Sequence, residues 1–111
     1  MIEITNNNIL FVDDEELVLA KIKRKLQGYN FNMFFAASGR EALKILEQNK
    51  IAVIIIDLSM PMINGVQLLK MINYDYHDLV KIVFSGYSDA QTMISALYSG
   101  EVYHYLPKKI V

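Results

Sequence analysis

Ile51-Ala52-Val53-Ile54-Ile55-Ile56-Asp57 is an unbroken apolar run that ends in one carboxylate. Leu58-Ser59-Met60-Pro61-Met62-Ile63-Asn64-Gly65 follows, with turn formers, and then a new helical pattern begins. Such a run reads as a strand buried on both faces, as in a parallel sheet covered by helices. In open parallel sheets, ligands bind outside the carboxyl ends of the strands. Asp57 is therefore placed where this architecture does its chemistry. An aspartate at a strand end also serves simply as a turn residue, so the rest of the chain has to supply partners.

Upstream, Ile9-Leu10-Phe11-Val12 is a short apolar run ending in Asp13-Asp14, and it reads as the first strand. From Glu16 to Gln27, Leu19, Ile22 and Leu26 recur at helical spacing, with Lys21, Lys23, Arg24 and Lys25 mostly on other faces and Gly28 as a stop. Phe31 to Ala37 reads as the second strand. Ser38-Gly39-Arg40-Glu41 has capping-box spacing and opens a helix carrying Ala42, Leu43, Ile45 and Leu46 to about Gln48.

Downstream, Val66, Leu69 and Ile72 mark a third helix, Tyr74 to Asp78 a loop, and Lys81 to Ser85 a fourth strand. Ser88 or Asp89 caps a fourth helix that Gly100 ends, and Val102 to Leu106 is a fifth strand. Strict βα alternation predicts a doubly wound α/β fold, a five-stranded parallel sheet with helices on both faces. The pattern stops after the fifth strand, where a fifth helix is expected.

Composition bounds the function. The chain has 111 residues, enough for one core, and 53% hydrophobic residues exclude disorder. A net charge of −1 gives no reason to expect direct nucleic-acid binding. The absence of cysteine excludes disulfides and thiol chemistry. No signal peptide opens the sequence, and no apolar run approaches the ~20 residues that span a bilayer. The expectation is a soluble cytoplasmic domain with no membrane partner.

Four polar features fall at the carboxyl ends of four strands: Asp13-Asp14, Asp57, Ser85 and Lys108. In the flavodoxin-like order 2-1-3-4-5, the first and third strands are neighbours at the switch point. Three carboxylates then share one pocket, and a hard divalent cation relieves their repulsion. Mg2+ prefers one or two carboxylates, water and a phosphate oxygen. A lysine and a hydroxyl nearby suit a phosphoryl group. The reaction implied is attack by a carboxylate on phosphorus. Asp57, alone at the end of the central strand, is the nucleophile candidate. Asp14 is the candidate direct metal ligand, Asp13 acts nearby, and the carbonyl of Ser59 is available to complete the coordination. The bland alternative for Asp13-Asp14 is capping of the first helix.

Four segments carry a family resemblance: Phe11-Val12-Asp13-Asp14-Glu15, Asp57 to Gly65, Phe84-Ser85-Gly86-Tyr87-Ser88-Asp89 and Tyr103-His104-Tyr105-Leu106-Pro107-Lys108. In this order and spacing the chain resembles a CheY-like response-regulator receiver domain of two-component signalling. The resemblance implies that Asp57 is the phosphoacceptor, and that Asp13, Asp14, Asp57 and the Ser59 carbonyl hold Mg2+. It also implies that Ser85 hydrogen-bonds the phosphoryl oxygens, that Lys108 pairs with the phosphate, and that Tyr105 is the switch aromatic. Phosphorylation by a histidine kinase or phosphotransfer protein then changes shape on the face of the fourth helix and fifth strand. That change controls an output domain or partner, or a homodimer formed through the same face. Enzymatic turnover of a separate substrate is not implied.

Two departures stand out. Receivers usually carry Lys-Pro at the last motif, whereas here Lys109 follows Lys108 and Pro107 precedes it. Lys109 is therefore an alternative phosphate contact. The second departure is the missing fifth helix, which points to a longer regulator or to a subunit covering the bare face. Two competing functions follow: a degenerate receiver used for dimerisation or docking, and a Mg2+-dependent phosphohydrolase with an Asp nucleophile. The latter uses Asp-x-Asp in its haloacid-dehalogenase form, which Asp57-Leu58-Ser59 lacks.

Overall fold

The fold is seen in a computed structural model of the chain, which describes residues 7–57, 68, 71, 72, 74–76, 78–85 and 104–107. The strands are β1 (Asn8–Val12), β2 (Asn32–Ala36), β3 (Val53–Asp57), β4 (Val80–Ser85) and β5 (His104–Pro107). Helix α1 (Glu16–Lys25) joins β1 to β2, and α2 (Gly39–Gln48) joins β2 to β3. The strands form one sheet in the order β2-β1-β3-β4-β5, all neighbours parallel. This is the predicted order, with boundaries shifted by at most two residues.

The pleat explains how the apolar runs are used. Leu10, Val12, Ala36, Ile54, Ile56 and Val83 point to one face, where Ala42 and Leu46 of α2 and the helical residues Leu68 and Ile72 pack on them. The other face carries Phe11, with half-buried Ile9, Met33, Phe35 and Ile55, against Leu19 and Ile22 of α1. Phe11 and Phe35 stack there with ring centroids 5.5 Å apart. Helices therefore cover both faces, as expected for strands without polar alternation.

The local signals act through identifiable bonds. The Glu41 N–H donates to Ser38 Oγ (3.1 Å), and Glu41 Oε2 accepts from the Ala37 N–H (3.0 Å). This is the capping box, with the return bond one residue earlier than in its usual form. Helix α1 ends at Lys25, two residues before the predicted Gln27. Gly28 adopts φ of +98°, which breaks the helical path and favours glycine.

The predicted loop over Tyr74–Asp78 is corrected, because Tyr74 and Asp75 are still helical. Their side chains are exposed, so polarity there marks the outer face of a helix rather than its end. Tyr76 N–H still reaches Ile72 O at 2.7 Å. The amino ends of the strands are held by asparagines. Asn32 Nδ2 donates to Asn7 Oδ1 and Asn8 Oδ1, while Asn7 and Asn8 donate to the carbonyls of Asn30 and Lys50. The predicted fourth helix (88–100) and the segment after β5, where the fifth helix would start, lie outside the described residues.

Candidate phosphoacceptor and metal site

The pocket is a consequence of register. Val12 pairs with Ile56 as the last β1–β3 couple. Asp13 and Asp57 are the next residues of the two chains, so they leave the sheet side by side. Asp13 is pinned twice: its N–H donates to Ala36 O (3.1 Å), and its Oδ1 accepts from the Glu15 N–H (2.8 Å). The second bond closes a turn between β1 and α1. It also answers the capping alternative for this residue: the N-cap of α1 is Glu15, and no side chain caps it.

Asp13 and Asp57 are wholly buried, and Asp14 is exposed. One carboxylate oxygen from each lies within 4.8 Å of the others. Two buried like charges at that separation repel by roughly 3–4 kcal/mol at an effective dielectric of ~20. Desolvation adds several kcal/mol per ion. Such a cluster of hard oxygen donors fits a divalent cation that prefers oxygen ligands. Burial on two sides and exposure at Asp14 leave an approach from solvent.

The other predicted site residues are placed in part. Phe84 of β4 pairs with Asp57, so Ser85 comes one residue beyond, at the same edge of the sheet. Ser85 pairs in turn with Pro107, and Tyr105 pairs with Val83. For Ser85 and Tyr105 the strand position is described and the side chain is not. Ser59, Lys108 and Lys109 lie outside the described residues. Sequence reasoning missed the bond to the Glu15 N–H, although an Asp two residues before a helix N-cap is an ordinary turn signal.

Comparison with known proteins decides the family. The family model for the response regulator receiver domain matches residues 9–111. The chain belongs to this receiver family. Among curated relatives, the receiver is 32% identical over 100 residues to the hydrogenase transcriptional regulatory protein HoxA of Cupriavidus necator, covering 90% of this chain and 20% of that one. The chain spans between 20% and 42% of the length of the first relatives it matches.

Among solved structures, the receiver is similar to a response regulator receiver domain from Clostridium thermocellum, with a TM-score of 0.83 and 32% identity over 91% of this chain and 81% of that one. It is also similar to the response regulator TrrA of Thermotoga maritima, solved in complex with Mg2+ and BeF, with a TM-score of 0.79 and 28% identity over 91% of this chain and 85% of that one. The fold is the CheY-like, flavodoxin-type parallel sheet. Among the described residues, no helix is long and apolar enough to cross a membrane.

Proposed function

We propose that this receiver is a phosphorylation-dependent signalling switch that accepts a phosphoryl group on Asp57. The observation that carries the reading is the convergence of Asp13, Asp14 and Asp57 at the carboxyl ends of β1 and β3. The Mg2+–BeF complex of the related TrrA receiver supports it.

Asp13, Asp14 and Asp57, with the Ser59 carbonyl, would hold Mg2+. Bound there, the ion neutralises charge on the carboxylates and on the incoming phosphoryl oxygens. An Asp57 carboxylate oxygen attacks phosphorus in line. The new O–P bond forms as the P–N bond of a phosphohistidine breaks, and the imidazole leaves with the electron pair. Asp57 suits this role because burial holds its carboxylate in one orientation at the strand end. Ser85 and Lys108 take the phosphoryl oxygens, with Lys109 as the alternative cation.

Tyr105 follows Ser85 inward, so a local charge change becomes a shape change on the face of the fourth helix and β5. The donor is a histidine kinase or phosphotransfer protein. The receptor of the signal is an output domain or a separate partner, and homodimerisation through that face is one route. The switch works in the cytoplasm and turns over no separate substrate.

The test is incubation with acetyl phosphate and Mg2+, followed by intact mass measurement. One phosphoryl adduct is expected, and none in Asp57→Asn. No adduct together with no binding of beryllofluoride overturns the reading and leaves a docking module.

A further inference from the structure

Lys81 is the one lysine among the described residues that the fold buries, at 7% exposure. It sits on the well-covered face of β4, between half-buried Val80 and Ile82, with Ile54 as its partner on β3. A buried lysine is rare unless its ammonium group is hydrogen-bonded. Here Nζ donates to two backbone carbonyls, Tyr76 O at 3.2 Å and Leu79 O at 3.1 Å.

Those carbonyls belong to the connection between the helical residues ending at Asp75 and the start of β4. The helix end leaves carbonyls without intrahelical donors, and a basic side chain is a suitable partner for them. The same connection is closed by Tyr76 N–H to Ile72 O (2.7 Å), by a long Leu79 N–H to Tyr76 O bond (3.4 Å), and by Val80 N–H to Ala52 O (3.1 Å). Tyr76 O therefore accepts from both Leu79 and Lys81. Without Lys81, the connection's own closure rests on the weaker of these two bonds.

We propose that Lys81 is a conformational latch that pins the helix-to-β4 connection and fixes the amino end of β4. The carboxyl end of that strand carries Ser85. Movement at the Ser85 end is then taken up locally, because the other end is tied across the connection to the helix. The role is independent of phosphoryl chemistry at Asp57, and its test does not use phosphorylation.

Native-state hydrogen exchange on the full chain reads it. In Lys81→Met, the Tyr76 and Leu79 amides are expected to exchange at least tenfold faster relative to the Leu10 and Ile54 amides. Lys81→Arg, which keeps the donors, restores protection to within about threefold of wild type. Uniform acceleration of all four amides, unchanged exchange at Tyr76 and Leu79, or failure of arginine to restore protection overturns the latch. Should Lys81→Met not fold, limiting acetic anhydride on the wild-type chain replaces it. A latched Lys81 is acylated more than tenfold more slowly than exposed Lys21, and equal rates overturn the proposal.

Discussion

Asp13 and Asp57 sit side by side with their carboxylates wholly buried, one step past the Val12–Ile56 pair that ends the β1–β3 ladder. The sheet thereby forces together two groups that electrostatics would separate. With exposed Asp14 beside them, these two acids present the oxygen donors that a hard divalent cation prefers.

In chelator, Asp57→Asn is therefore expected to stabilise the chain. Removing one of two buried like charges should raise unfolding free energy by roughly 1–3 kcal/mol. At this size, each kcal/mol corresponds to about 4–8 °C in Tm. Thermal melts with EDTA check it, and a lower Tm for the variant sinks the electrostatic account.

Mg2+ should stabilise the wild-type chain in proportion to its excess over Kd. The gain is about 2.7 kcal/mol at a hundredfold excess, by mass action. Asp13→Asn and Asp57→Asn should lose most of that gain. Urea unfolding with and without Mg2+ measures it, and equal Mg2+ stabilisation of all three proteins removes the cluster as the binding site.

Ser38 caps α2 through the Glu41 N–H. Ser38→Ala should cost about 1 kcal/mol, and Ser38→Gly only a few tenths. Because α2 packs on the buried face of the sheet, the loss should appear in global unfolding by denaturant rather than as local fraying.

Adjacent positions on β3 should respond differently. Ile54 is fully buried in the core cluster that includes Leu68 and Ile72, and Ile54→Ala should cost about 2–5 kcal/mol. Val53 faces the less covered side and is half-buried, so Val53→Ala should cost clearly less. Equal costs would mean that the two faces are covered alike.

Burial holds the Lys81 ammonium group below its ordinary value of 10.5. Below the depressed value, both folded and unfolded chains carry the proton, and the burial cost is fully present. Between that value and 10.5 the unfolded chain binds more protons, so stability rises with pH. The wild-type chain should therefore gain stability relative to Lys81→Met between pH 7 and pH 10. Denaturant unfolding of both at each pH gives the difference, and a relative loss contradicts the direction.

Apolar runs such as Ile54–Ile56 and Leu10–Val12 and the helical spacing made the strands and both well-described helices legible, while the strand order came from the flavodoxin-like architecture that strict βα alternation suggests. The acid triad was legible because each acid ends an apolar run. Tyr74 and Asp75 misled because exposed helical residues and loop residues share the same polarity. Lys81 was hidden for a related reason: its sequence position says strand, but only the fold brings the carbonyls of Tyr76 and Leu79 to its amine. The asparagines read as a polar lead-in, since their partners at Asn30 and Lys50 are remote in sequence.

That asparagine cluster divides the sheet chemically. Neutral amides join the strands at one end, and acids meet at the other. A five-residue strand is about 16 Å long. A charge introduced at Asn7 or Asn32 would act on Asp57 across at least that length, at about 1 kcal/mol for an effective dielectric of ~20. The amino-terminal rim is thus distant ground, where a change of surface charge retunes the pocket only modestly.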